Sequence, residues 1–147
     1  MLIPWRKVDA WTCLRCFYCC VEYNVYLTSW EAEWISRAYG IHIELTPKGW
    51  RLKRAGEPCP FLRRDQYGRS YCLINMDKPR ACVSFPFVIT RRPLRGESDK
   101  LAYYPTGRDR GVYVYVRDDC PGVGRGVPLE KALRRTLIKL GYMRRVA

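Results

Sequence analysis

Helical register is clearest in two stretches of this chain. Trp30, Trp34, Ile35 and Ala38 are spaced as one face of a helix. Just ahead of them, Thr28-Ser29-Trp30-Glu31 is a capping box: Thr28 accepts from the amide three residues on and Glu31 reaches back. The helix is predicted from about Ser29 to Tyr39, with Gly40 as its left-handed stop. The second stretch opens at Pro128, a favoured first position. Leu129, Ala132, Leu133, Thr136, Leu137 and Leu140 then follow helical spacing and should face the core, and Gly141 ends the run. Its basic residues fall on the other face.

Between these helices the pattern shortens toward a period of two. Val21–Leu27 reads as a short extended segment. Ile41–Leu45 is a predicted strand, Pro47-Lys48-Gly49 a turn, and Trp50–Lys53 the return. A hairpin is expected from Phe61-Leu62 to Tyr71-Cys72, with Gly68 at the position needing positive φ. Gly111–Val116 is the strongest strand. Residues 92–110 read as loop-rich, and Pro121 to Gly126 as a glycine-rich loop. No internal repeat or low-complexity tract interrupts the chain. The expectation is one α+β domain over 1–147: a small irregular metal-stapled domain with a short antiparallel sheet and two main helices. Its motif core is 13–126 and its C-terminal basic amphipathic helix 128–140.

Composition narrows the class. The chain has 147 residues, 48% of them hydrophobic, which is enough for a core and too much for global disorder. No run of 18 apolar residues is present, so no membrane partner is expected. The first residues lack an apolar stretch of signal-peptide length, and the chain is read as cytoplasmic. Arginine dominates the 27 basic residues and aromatics reach 14%, a composition that suits a thermophile.

Eight cysteines against a single histidine then decide the chemistry. In a secreted domain an even cysteine count signals disulfides, whereas in a cytosolic chain it favours metal or catalysis. Disulfides remain an alternative, because intracellular proteins of hyperthermophiles carry them. A metal bound here is held almost wholly by sulfur, which selects zinc or an iron–sulfur cluster over magnesium or calcium. Cys13-x2-Cys16-x2-Cys19 is a spacing that wraps one face of a [4Fe–4S] cluster, although the next cysteine, Cys20, is immediately adjacent. Neighbouring side chains on an extended backbone diverge, so Cys19 and Cys20 are expected to face two different sites. Cys59 and Cys120 each precede a proline, and Cys72 and Cys82 are ten apart and flank a shared loop. Eight thiolates divide naturally into two four-ligand sites, but spacing alone does not say which cysteines pair. One or two of the eight can instead be small buried hydrophobes.

These residues resemble a known family. The ordered set is Cys-x2-Cys-x2-Cys-Cys at 13–20, Leu27-Thr28-x2-Glu31, Cys59-Pro60-Phe61-Leu62, Cys72-Leu73-Ile74-x3-Lys78-Pro79-x2-Cys82-x2-Phe85-Pro86-Phe87 and Cys120-Pro121-Gly122-x-Gly124. Together they are similar to the YkgJ-type cysteine-cluster proteins over about residues 13–126. The resemblance implies a cytosolic metal-binding protein, often an iron–sulfur protein. Members commonly have glycine after the second cysteine, where this chain has Phe17. They usually have tyrosine at Asn75 and arginine at Pro79 and Val83.

Other chemistry is thinly supported. His42 reads as a surface or satisfied histidine rather than a ligand. Asp118-Asp119 reads as a solvated strand end. Gly122-x-Gly124-x-Gly126 lacks the Lys-Ser/Thr of a phosphate loop. No Ser/His/Asp set can be built, and no catalytic residue or small-molecule substrate is identified. Formal charge is +13, and two thiolate cages of −2 each lower it only to about +9. Basic clusters at Arg63-Arg64, Arg91-Arg92, Arg108-Arg110 and 134–145 read first as a solvated surface. They read second as a patch for RNA, a ribonucleoprotein or an acidic protein, carried by Arg134, Arg135, Lys139, Arg144 and Arg145. The expected function is metal binding through Cys13, Cys16, Cys19, Cys20, Cys59, Cys72, Cys82 and Cys120, mainly structural, rather than enzymatic. The cofactor is an iron–sulfur cluster, most simply 4Fe–4S, or zinc, or one of each. An iron–sulfur electron carrier or oxidoreductase is the first alternative, and a basic metalloprotein docking on RNA the second.

Overall fold

A computed structural model describes residues 1–41, 43–52, 54 and 56–145. His42 and Lys53, both within predicted strands, lie outside the described residues. In chain order the elements are β1 (Leu2–Pro4), β2 (Ala10–Trp11), α1 (Tyr18–Glu22), β3 (Tyr26–Leu27), α2 (Ser29–Tyr39), β4 (Ile43–Thr46), β5 (Gly49–Leu52), β6 (Leu62–Arg64), β7 (Ser70–Cys72), α3 (Arg80–Ser84), β8 (Phe87–Thr90), β9 (Tyr103–Gly107), β10 (Arg110–Arg117), β11 (Val123–Pro128) and α4 (Leu129–Lys139). Helices and short antiparallel sheets together make an α+β fold, as expected. No helix among the described residues is long and apolar enough to cross a membrane.

The chain forms two compact units. One is continuous, residues 17–82. The other is discontinuous, residues 1–16 with 83–147.

In the discontinuous unit β10 is the organising strand. Its β-branched and aromatic residues, Val112-Tyr113-Val114-Tyr115-Val116, suit a strand buried on both faces. Tyr113 pairs with Thr90 of β8 and Tyr103 of β9, so those strands flank it on opposite edges. Val116 likewise sits between Ile3 of β1 and Phe87 of β8. The helix α4 packs Leu129, Leu133 and Leu137 into the same cluster as Val112, Val114 and Val116, all buried. Every position predicted to face the core, from Leu129 to Leu140, is buried. Truncating one of these leucines to alanine costs about 2–5 kcal/mol. A buried polar knot completes the unit: Tyr115 donates its hydroxyl to Asp99 Oδ2 at 2.8 Å and accepts from the Leu94 amide at 2.9 Å. The stretch read as loop-rich contains a 3-10 segment at Gly96–Ala102 and the strand β9, which Pro105 and Gly107 had concealed. The glycine-rich loop is in part strand β11, which pairs with β2.

The continuous unit holds β3–β5–β4, the β6–β7 hairpin and α2. Both arms of the capping box form: Glu31 N donates to Thr28 Oγ1 at 3.1 Å and Thr28 N to Glu31 Oε1 at 2.9 Å. Gly40 ends α2 at φ 62°. The buried face differs from expectation. It is Glu31, Ala32 and Ile35 that are buried, while Ala38 is exposed and Trp30 is 71% exposed. Trp30 instead stacks on Trp34, their rings 6.3 Å apart and 4° from parallel. Ring–ring contact outside the core has replaced burial. The Val21–Leu27 segment is extended only at β3, because α1 runs through Val21 and Glu22.

Candidate metal centre

Five of the eight cysteines belong to the continuous unit. Cys19 and Cys20 lie in α1, Cys59 precedes Pro60 ahead of β6, Cys72 ends β7, and Cys82 lies in α3. The segment entering α1 is tightly constrained. Phe17, at the position where cysteine-cluster proteins commonly carry glycine, adopts φ 60°, ψ 18°, and Arg15 also has positive φ. Left-handed backbone costs a non-glycine residue on the order of 1–2 kcal/mol. Here it turns the chain between Cys16 and Cys19.

Helical backbone changes what adjacent cysteines can do. Cys19 and Cys20 were expected to diverge along an extended strand. In α1 they do not: the Cys20 thiol hydrogen-bonds both the Cys19 and the Cys59 sulfurs. The backbone reinforces this, since the Cys59 amide donates to the Cys20 carbonyl at 2.7 Å. Cys59 is buried in an apolar cluster with Val25, Leu27, Ile35, Leu52, Phe61 and Ile74, and Cys20, Cys72 and Cys82 pack against that cluster.

Arg54 fastens the arrangement. Its guanidinium donates to the carbonyls of Val21 and Tyr23 at the end of α1, and to Glu57 O at 3.0 Å on the approach to Cys59. Glu31 secures the other side. Its Oε2 accepts the Arg80 amide at 2.8 Å, two residues before Cys82. Neither role was legible in the sequence. Arg54 stands alone in a loop with no motif, and Glu31 was read only as a cap.

The thiols are electrostatically unequal. The hydrogen bond from Cys20 holds Cys59 down to about 6, aided by Arg54 and Arg63, and holds Cys19 down to about 7, aided by Lys78. Cys20, whose single thiol proton is shared with both sulfurs, is pushed well above the usual thiol range by those bonds and by burial. Burial also raises Cys72, and pushes Cys82 up to about 12.

The other three cysteines belong to the discontinuous unit. Cys13 and Cys16 are exposed. Cys120 is half-buried and accepts the indole N–H of Trp11 at 3.3 Å.

Among the described residues no three His, Cys, Asp or Glu side chains are arranged as a metal cage. The donor chemistry nonetheless fits a soft metal. Two thiolates on one tetrahedral zinc lie about 3.8 Å apart for Zn–S bonds of about 2.3 Å, which is the range of a sulfur–sulfur hydrogen bond.

The profile of the family CxxCxxCC, described as "Putative zinc- or iron-chelating domain", matches residues 12–118. The chain belongs to the CxxCxxCC family. No curated protein and no solved structure matches it. The matched span holds seven of the eight cysteines, and its description supports metal binding. Cys120 lies just beyond the span that matches CxxCxxCC.

Proposed function

We propose that this protein is a thiolate metalloprotein whose metal is mainly structural, with its principal centre in the continuous unit. Cys19, Cys20 and Cys59 supply three ligands, and Cys72 or Cys82 the fourth. One observation carries this reading: the Cys20 thiol bridges the Cys19 and Cys59 sulfurs beside a buried apolar cluster. When bound, zinc or an iron–sulfur cluster supplies cross-linking free energy that a small loop-rich unit otherwise lacks. The residues of the chain do the rest. Arg54, Arg63 and Lys78 offset the negative charge of the thiolates, and the apolar cluster excludes water. Cys13 and Cys16 with Cys120 are the ligands left for a second centre.

The test is anaerobic purification followed by elemental analysis and a visible spectrum, repeated for Cys→Ser variants. Zinc or iron is expected at a fixed stoichiometry and falls in Cys20→Ser and Cys59→Ser. The broad visible absorption of iron–sulfur distinguishes the metals. A metal-free protein with no reactive thiols would overturn the reading in favour of disulfides.

A second reading concerns α4, whose exposed side carries Lys131, Arg135 and Lys139, with Arg144 and Arg145 just beyond. Among the described residues these five form no ion pair, whereas Arg134 is half-buried and hydrogen-bonds Tyr104. The five cations are proposed to contact the phosphates of RNA without reading bases. Binding to a random-sequence RNA should weaken linearly in log salt and lose slope in a Lys131/Arg135/Lys139 triple alanine variant. No binding at low salt removes the proposal.

A further inference from the structure

We propose that Trp11 is a positioning residue for the Cys120 sulfur, its indole N–H tuning the thiolate that Cys120 presents to metal. The inference rests on the reading of Cys120 as a ligand and adds a residue outside the cysteine set. The indole nitrogen can only donate, and among the described residues it donates to Cys120 Sγ, at 3.3 Å and half-buried.

The surroundings are built to hold that contact. Trp11 pairs with Val123 across β2 and β11, three residues after Cys120. Its ring is set edge-on to Phe87, centroids 5.5 Å apart and 67° from parallel. Cys120 is fixed by its amide bonding Arg117 O at 3.3 Å and its carbonyl accepting from Val123 N at 3.1 Å. The next residue after Trp11 is clamped to the same loop: Thr12 N donates to Gly122 O at 3.3 Å, and Thr12 Oγ1 accepts from Val127 N at 3.0 Å. A side chain at Gly122 would run into the Thr12 carbonyl and press on the indole nitrogen, so only glycine leaves room for the approach. The strand that donates the hydrogen bond thus leads directly into Cys13.

A donor aimed at a thiolate withdraws electron density from sulfur, which changes the covalency of the metal–sulfur bond and, for iron–sulfur, raises the reduction potential. Partners of this kind carry about 10–100-fold in metal affinity.

The experiment uses the full chain with its native metal. Trp11→Phe keeps a ring against Phe87 and removes the donor. Benzothienylalanine at position 11 keeps the shape of the indole without its N–H, which covers the case in which the phenylalanine variant fails to fold. Chelator competition measures affinity. The thiolate-to-metal charge-transfer band is read in the native protein for iron and after cobalt substitution for zinc. The expected result is an unchanged metal stoichiometry, an affinity lower by about 10–100-fold and a shifted band in both variants. An unchanged affinity and band, in a protein whose Cys120→Ser variant does lose metal, overturns the role of Trp11. An unchanged metal content in Cys120→Ser instead overturns the ligand reading on which it rests.

Discussion

The carboxylate of Glu31 joins two elements far apart in sequence: one oxygen accepts the Thr28 amide at 2.9 Å and the other the Arg80 amide at 2.8 Å. It caps α2 and at the same time holds the start of α3, which carries Cys82. Glu31→Ala removes a cap and the carboxylate to which two part-buried amides donate. Chemical unfolding of the metal-free protein should show a loss of about 2–4 kcal/mol, with Glu31→Gln falling between the variant and the parent. A loss no larger than that of an isolated cap, about 1 kcal/mol, would mean the Arg80 bond contributes nothing.

Thiol reactivity should follow the bridging role of Cys20. In the metal-free protein Cys19 should alkylate with a midpoint near pH 7, and Cys82 should stay protonated until about 12. Folding lowers Cys19 and Cys59 from 9.0, so the stability they contribute is complete above pH 9 and is lost as pH falls through about 7 and about 6. Cys82 works in the opposite sense, its share present below pH 9 and lost as pH rises toward 12. Mass-spectrometric mapping of alkylation against pH checks the order. In Cys20→Ala, which removes the donor, the Cys19 midpoint should rise.

Two glycines two residues apart, Gly124 and Gly126, separate strain from crowding. Both have positive φ, 88° and 82°. A Cβ at Gly124 meets nothing, whereas at Gly126 it falls inside the Thr12 side chain. Gly124→Ala should cost about 1 kcal/mol from backbone strain alone. Gly126→Ala should add about 1–3 kcal/mol from overpacking, and should loosen the residue before Cys13. Equal losses in urea titrations would show that Thr12 moves aside freely.

Tyr115→Phe tests the buried knot of the discontinuous unit. Asp99 would lose its hydroxyl donor and keep the Arg95 amide at 3.1 Å. The expected cost is about 1–2 kcal/mol in the unfolding free energy, with metal content unchanged.

Local signals were legible where one physical rule acted alone. The capping box and Gly40 fix both ends of α2, and the apolar period of α4 names its buried face. Gly68, at φ 76°, turns the β6–β7 hairpin as its position implied. Signals failed where tertiary contact outweighed pattern. Trp30 shares the period of Ile35 yet stays exposed, because Ala32 is the residue small enough to lie against the unit's core. α1 has no apolar period to announce it, and β11 carries Gly126 where it passes close to Thr12. At the candidate centre the cysteine set itself was plain. The contact between Cys19, Cys20 and Cys59 was not, since it depends on helical backbone that nothing in the local sequence specifies.

The interrupted connectivity of the chain also sets an order of assembly. The continuous unit is complete once residue 82 has been synthesised, and its five cysteines are then all present. β1 must wait for β10, since Leu2 pairs with Arg117, and Cys120 is made later still. On the proposed assignment of ligands, a nascent chain would take up metal at its middle cysteines while Cys13 and Cys16, made first, still wait for Cys120.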